Sequence, residues 1–98
     1  IMTAAMIDAT KAYEYGLVNH VTTQEELLTL ANKIANKIAR NSSVAIAGAI
    51  NAINAGFKDD TNGFDAEISE FGKCFGTADF KEGTQAFLGK RKPDFPGH

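Results

Sequence analysis

The sequence predicts an all-α fold, a small bundle of about four to five helices. Three observations lead to this fold class. Apolar residues recur at the helical period in several separate stretches, residues typical of helix N-caps precede most of them, and only one short stretch favours extended backbone. The secondary structure is therefore expected to be almost entirely helical.

A short first helix is predicted immediately after Asp8, which is a good N-cap residue. Gly16 supplies the left-handed C′ position that commonly ends such a helix. Residues 17–21 are apolar and too few for a helix, so we expect extended backbone or a minimal strand there.

The second predicted helix begins at Thr23 and runs to about Arg40. Thr23 and Glu26 have the spacing of a capping box, in which each side chain bonds the other residue's backbone N–H. Behind this start, apolar residues form one stripe at the helical period. The stripe comprises Leu27, Leu30, Ala31, Ile34, Ala35 and Ile38.

A third helix, from Val44 to about Phe57, is expected after a break at residues 41–43 that can cap it. One face is apolar, and the other faces are rich in alanine and almost free of charge. A helix that is apolar on most sides is usually buried on most sides. Either it is the central helix of a small bundle, or it is buried against partners that 98 residues do not supply. The apolar face comprises Ile46, Ile50, Ile53 and Phe57.

Two further helices are predicted between residues 63 and 88. The fourth runs from about Gly63 to Gly76, and Thr77 can cap a fifth from Ala78 to Leu88. Gly89 is expected to end the fifth helix. The following tail is basic at residues 90–92 and is then interrupted by two prolines. The stripe of the fourth helix comprises Phe64, Ile68, Phe71 and Phe75.

Composition indicates an ordinary globular chain, with 44% hydrophobic and 22% charged residues among 98. The net charge of -2 argues against general nucleic-acid binding. A single cysteine suits a reducing compartment, so we expect a cytoplasmic protein, and no apolar run is long enough to span a membrane. The apolar start at residues 1–6 suggests a chain cut from a longer one. The alternative is a natural start with an N-terminal helix docked on the core.

No catalytic or metal-binding residues are predicted. The sequence has no glycine-rich phosphate loop and no Cys or His pair at metal-ligand spacing. His20 and Cys74 are expected to be packing or partly exposed side chains. Glu67 and Glu70 are neighbours on one helix, and paired carboxylates can do acid–base chemistry if burial separates their pKa values. Because they flank an apolar stripe, we expect them to be solvated.

The basic residues that follow the fifth helix have two interpretations. Positive charge is favourable at a helix C-terminus, so Lys90, Arg91 and Lys92 can simply complement the helix dipole. Alternatively they form an anion-binding edge, with Lys90 or Arg91 meeting a phosphate and Phe87 offering an apolar surface beside it. Three basic residues are too few to predict nucleic-acid or membrane binding.

Two ordered groups of motifs resemble the crotonase superfamily, the enoyl-CoA hydratases and isomerases. The resemblance covers nearly the whole chain, and its motifs occur in the family's order and spacing. The first group comprises Met6-Ile7-Asp8-Ala9, Ala12, Gly16-Leu17-Val18-Asn19 and Val21. The second comprises Phe75-Gly76-Thr77-Ala78-Asp79-Phe80-Lys81-Glu82-Gly83, Ala86-Phe87-Leu88, Lys90-Arg91-Lys92-Pro93 and Phe95.

The resemblance implies that residues 1–98 are the C-terminal helical domain of an acyl-CoA enzyme. Family members polarise a thioester carbonyl with two backbone N–H groups, and hydratases use two glutamates as acid and base. These groups lie in the N-terminal catalytic spiral domain, an α/β domain upstream of Ile1. Glu67 and Glu70 do not match the catalytic glutamates, so this chain alone is expected to be inactive.

The resemblance also implies partners. The family's C-terminal helices pack at a trimer interface and close the acyl-CoA pocket, so we expect a homo-oligomer, a trimer or dimer of trimers, and self-association of this chain. No cofactor is implied besides the acyl-CoA substrate. Lys90 and Phe87 match residues that approach the CoA moiety, Lys90 as a point charge for a phosphate. Gly89 stands where the family commonly has Glu, which predicts a looser helix end. The alternative is a free-standing helical protein-interaction module.

Overall fold

The computed structural model describes residues 3–98 and divides into two compact units, Ile1–Ile34 and Ala35–His98. The prediction about the start of the chain falls partly on Ile1 and Met2, which lie outside the described residues. The helices are α1 (Ala9–Glu14), α2 (Gln24–Ala39), α3 (Ser43–Ala55), α4 (Gly63–Cys74) and α5 (Ala78–Leu88). Residues 3–98 contain no strand, which confirms the all-α prediction and leaves residues 17–21 without the minimal strand considered for them.

In the first unit, α1 begins and ends as its sequence predicts. The Asp8 carboxylate accepts a hydrogen bond from the Lys11 backbone N–H at 2.7 Å. At the other end, Gly16 adopts a left-handed conformation with a φ of 70°. Its N–H donates to the Tyr13 carbonyl, and the next N–H, that of Leu17, donates to the Ala12 carbonyl. These two bonds define a Schellman motif, in which glycine at C′ avoids the steric cost of a left-handed side chain.

The start of α2 forms only half of the predicted capping box. The Thr23 hydroxyl accepts a hydrogen bond from the Glu26 N–H at 3.3 Å. The Glu26 carboxylate, however, accepts from the Thr22 hydroxyl at 3.2 Å. A neighbouring side-chain hydroxyl therefore takes the place that the capping box gives to the Thr23 backbone N–H.

In the second unit, α3 and α4 form a helix hairpin. The Ser42 hydroxyl caps α3 by accepting from the Ala45 N–H at 3.1 Å, and the Asn62 side chain caps α4. The two helices meet closely at the loop end, where a Cβ built on Gly63 would lie 2.9 Å from the Gly56 Cα. Such a contact is too short for any side chain, so the hairpin closes because glycine stands at this position.

The buried residues of the second unit are few and small. Among the described residues only Ser42, Ala55, Asp79 and Ala86 are buried. Three of them lie at the start of α3 and on α5, where the core contains a carboxylate, and Ala55 is buried at the other end of α3. No helix of the described part of the chain is long and apolar enough to cross a membrane.

Apart from Ile46, which is partly buried, the apolar face of α3 is not covered within its own unit. Ile50 is 52% exposed, Ile53 is 62% exposed and Phe57 is more exposed still. The interpretation of α3 as the central helix of a small bundle is therefore wrong, because a central helix would bury this face. The stripe of α4 is exposed as well, which leaves two apolar surfaces facing outward from one hairpin.

Candidate functional site

The end of α5 carries the two residues predicted to meet an acyl-CoA, Phe87 and Lys90. The Lys90 N–H donates to the Phe87 carbonyl at 3.2 Å, and the Arg91 N–H donates to the Ala86 carbonyl at 3.0 Å. This is the same Schellman pattern that ends α1. The residue at C′ is Lys90, with a φ of 49°.

Gly89 ends α5 as predicted, as the residue that caps its C-terminus. Gly89 has a φ of -81°, a value open to any residue, so it does not supply the left-handed turn. The left-handed position falls one residue later, on Lys90. Both hydrogen bonds of the motif are made at this helix end. A lysine thus holds a backbone conformation that glycine holds at the end of α1.

The segment after Lys90 is fastened to α5 by Glu82. The Glu82 carboxylate accepts from both terminal nitrogens of the Arg91 guanidinium, the second at 2.8 Å, and from the Asp94 N–H at 2.7 Å. Only 18% of the Glu82 side chain is exposed. The Arg91 guanidinium, followed by the Asp94 N–H, lowers the pKa of the Glu82 carboxyl from 4.5 to about 2. We call this arrangement of Glu82, Arg91 and Asp94 the tail clamp.

One turn earlier on α5, Asp79 holds the last residues of the tail. Its Oδ1 accepts from the Gly97 N–H at 2.7 Å, and its own N–H donates to the His98 carbonyl at 3.1 Å. Asp79 is 2% exposed, and its Oδ2 is buried without a hydrogen bond of good geometry in the described residues. The Ser42 hydroxyl lowers the pKa of Asp79 most, and the Gly97 and His98 backbone lower it further. Burial raises this pKa, but it stays below its ordinary value.

Phe87 and Lys90 are both exposed at the end of α5, but only Phe87 lines a groove. The Phe87 side chain is 83% exposed and lines one wall of a groove of about 480 Å³. Lys90 is exposed and does not line this groove. The groove is mostly apolar, and its remaining lining residues include Phe71, Phe80, Thr84 and Phe95. The aromatic surface of the groove and the exposed Lys90 ammonium outside it suit a ligand with an apolar part and an anionic part.

Glu67 and Glu70 line a second groove, of about 420 Å³, along α3 and α4. Glu67 is exposed as predicted, but Glu70 is half-buried, so the expectation that both are solvated is wrong for Glu70. Its carboxylate pairs with Lys73 and accepts from the Asn51 amide at 3.4 Å. These two partners, Lys73 first, lower the pKa of Glu70. A carboxylate held in its ionised form is a poor proton donor near neutral pH.

The other candidates for chemistry remain isolated from one another. His20 is exposed beside a shallow depression of the first unit that Thr10, Tyr13 and Val21 also line. Cys74 is half-buried, and its Sγ donates to the Glu70 carbonyl at 3.5 Å, as suits a packing residue. Within residues 3–98, no three His, Cys, Asp or Glu side chains are placed to hold a metal ion.

The two carboxylates that organise this helix end were not predicted as site residues from the sequence. Asp79 and Glu82 are three residues apart, so they lie on one face of α5, and both belong to the motif that carried the family resemblance. That spacing was a usable signal for a shared face. Their partners, Gly97 and Arg91, belong to the tail. The tail runs back along α5, and no periodic pattern in its sequence predicts this path.

The chain is similar along its whole length to one protein family. The sequence model of the enoyl-CoA hydratase/isomerase family matches residues 1–98. Crotonyl-CoA hydratase of Syntrophomonas wolfei is 42% identical over 96 residues, which make up 97% of this chain and 37% of the relative. Short-chain-enoyl-CoA hydratase of Clostridium acetobutylicum is 45% identical over 93 residues, 94% of this chain and 36% of that relative. The chain therefore spans little more than a third of the length of these relatives.

Solved structures give the same result for the fold. The chain matches an enoyl-CoA hydratase from Bacillus anthracis with a TM-score of 0.85 and 38% identity, over 92% of this chain and 35% of that one. An enoyl-CoA hydratase from Mycobacterium tuberculosis matches with a TM-score of 0.79 and 32% identity, over 92% of this chain and 36% of that one. The fold of the chain is thus found in one part of these larger proteins.

Proposed function

Because the chain belongs to the enoyl-CoA hydratase/isomerase family, we propose that it is the helical segment with which an acyl-CoA enzyme assembles its subunits and closes its substrate pocket. The complete enzyme hydrates a short-chain enoyl-CoA or moves its double bond, and it needs no cofactor besides that substrate. The names of the crotonyl-CoA and short-chain-enoyl-CoA hydratases among the relatives support this substrate class.

The observation that carries the proposal is the exposed pair of Phe87 and Lys90 at the end of α5. Both side chains are exposed, and the hydrogen-bonded turn between them fixes their separation along the backbone. In the proposal, the Lys90 ammonium meets a phosphate of the CoA moiety and Phe87 packs against its apolar or aromatic part. The chemistry itself is left to residues outside this chain, because Glu67 is exposed and Glu70 is tied up in an ion pair.

Assembly is supported by the exposed apolar side chains of the α3–α4 hairpin. Ile53 on α3 and Phe64, Ile68 and Phe71 on α4 are each more than half exposed. Exposed apolar surfaces of this kind usually mark a protein–protein interface. The 98-residue chain by itself is therefore expected to self-associate, and a strict monomer in sedimentation at high concentration would count against assembly through this surface.

The acyl-CoA part of the proposal is tested by replacing Lys90 in the complete enzyme. Lys90→Ala removes the charge, and we expect KM for an enoyl-CoA to rise about tenfold with little change in kcat, since a bond to a charged phosphate is lost. Lys92→Ala is the matched control, because Lys92 is also basic and exposed but lies beyond the turn. An unchanged KM for Lys90→Ala would overturn the proposed contact between Lys90 and the acyl-CoA.

A further inference from the structure

The backbone of Lys90 is held from both sides. On the helix side, the N–H groups of Lys90 and Arg91 donate to the Phe87 and Ala86 carbonyls. On the tail side, the Arg91 guanidinium and the Asp94 N–H bind the Glu82 carboxylate. Lys90 is the residue between these two sets of bonds. Its left-handed φ of 49° is therefore imposed by these bonds, because an unconstrained lysine would adopt a negative φ.

The direction in which a side chain leaves the backbone depends on φ and ψ. If residue 90 returned to an extended or right-handed conformation, its Cβ would point elsewhere and the ammonium at the end of the side chain would move with it. A fixed backbone limits the orientations of a flexible lysine side chain before binding. Less conformational entropy is then lost when the side chain binds a ligand. By fixing the backbone at Lys90, the tail clamp can therefore determine the position of the Lys90 ammonium.

We infer that Glu82 is a positioning residue for Lys90, which holds the tail against α5 so that the Lys90 ammonium faces the phosphate of the bound acyl-CoA. This inference rests on the proposed role of Lys90 in binding that phosphate. Glu82 itself does not touch the ligand, and its bidentate bond to Arg91 gives the clamp a geometry that a single bond would not.

The test is Glu82→Gln in the complete enzyme, with steady-state kinetics on two substrates. One is an enoyl-CoA, and the other is the same acyl group on a short thiol that carries no phosphate. Glutamine keeps the size of Glu82 but loses the charge that binds Arg91. We expect KM for the enoyl-CoA to rise about three- to tenfold with kcat nearly unchanged, and KM for the phosphate-free thioester to stay as it was.

A double variant separates positioning from a general loss of structure. In the Lys90→Ala background, Glu82→Gln should cause no further rise in KM, because the charge that it positions is already gone. Glu67→Gln is the matched control, since Glu67 is an exposed glutamate on α4, and it should leave both KM values unchanged. If Glu82→Gln does not yield folded enzyme, Arg91→Lys decides instead, because it keeps the charge but loses the bidentate geometry.

The outcomes distinguish this inference from the proposed function. If Lys90→Ala raises KM for the enoyl-CoA and Glu82→Gln or Arg91→Lys does not, the positioning role is overturned while the proposed function stands. If Lys90→Ala itself has no effect, the proposed role of Lys90 in binding the phosphate fails and this inference with it. If Glu82→Gln raises KM equally for the phosphate-free thioester, or adds to Lys90→Ala, the clamp is merely structural and the positioning role is again overturned.

Discussion

The carboxylate of Glu82 takes both terminal nitrogens of the Arg91 guanidinium, although the two residues are nine positions apart in the chain. The carboxylate accepts a third hydrogen bond from the Asp94 N–H. Bidentate pairs of this kind have a defined geometry and are stronger than single ion pairs. The tail clamp therefore ties the turn at Lys90 to the helix from which it leaves.

The tail clamp predicts a defined pH dependence of stability. The pKa of Glu82 is about 2 in the folded chain, below the ordinary 4.5 that it regains on unfolding. The clamp therefore stabilises the fold fully above about pH 5 and loses its contribution as the pH falls through the range from 4.5 towards 2. Urea denaturation of the wild-type chain and Glu82→Gln should show a difference in unfolding free energy that shrinks over this range. A difference that stayed constant from pH 6 to pH 2.5 would contradict the prediction.

The left-handed backbone of Lys90 predicts that glycine is preferred there over alanine. Alanine keeps the steric cost of the conformation and glycine removes it, so Lys90→Gly should be more stable than Lys90→Ala by about 1 kcal/mol. The comparison between these two variants cancels the loss of the charge. Gly16→Ala should destabilise the chain by a similar amount, since Gly16 occupies the equivalent position of α1. Denaturation midpoints that do not separate glycine from alanine at residue 90 would show that the turn relaxes.

Much of the helical architecture could be predicted because caps and periodicity are local. Asp8, Ser42 and Thr77 bond the backbone N–H groups that their positions predict. Gly89 was predicted to end α5 and does so, but the left-handed backbone of the next residue, Lys90, was not predicted. The turn at Lys90 includes the bond from the Arg91 N–H to the Ala86 carbonyl, and the Arg91 side chain is bound by Glu82. Such a choice depends on where the tail goes, which no local pattern contains.

The candidate site shows the same division. Phe87 and Lys90 were proposed from the resemblance, Lys90 also from its place after a helix, and both are exposed. The half-burial of Glu70 was missed because it comes from the packing of α4 against Asn51 on the neighbouring helix. Periodicity gives the face of a helix on which a residue lies, but not how closely the next helix approaches that face.

Asp79 is predicted to hold the end of the tail on α5. Asp79→Ala leaves the Gly97 N–H without its acceptor in a partly buried place, which should lower the unfolding free energy by about 1–3 kcal/mol. Amide hydrogen exchange at Gly97 should also become faster, because its N–H is no longer bonded. Asp94→Ala is the control, since it keeps the backbone N–H that binds Glu82. Unchanged exchange at Gly97 would mean that other contacts hold this segment.

The two glycines of α4 are predicted to respond to alanine with opposite signs. At Gly63 a new Cβ would lie 2.9 Å from the Gly56 Cα, and this neighbour is backbone that cannot swing aside. The hairpin of α3 and α4 would have to open, so Gly63→Ala should destabilise the chain by about 1–3 kcal/mol. At Gly72 a Cβ meets nothing within 4 Å. Because alanine is the better helix former, Gly72→Ala should stabilise by about 0.5–1 kcal/mol.

Urea denaturation of both variants beside the wild type measures these effects on one scale. Both replacements add a single methyl group to the same helix, so helix propensity alone would make both stabilising. Only the close approach at Gly56 gives Gly63→Ala the opposite sign. If both variants were stabilised equally, the hairpin would tolerate a wider separation at its loop end, and glycine would not be what closes it.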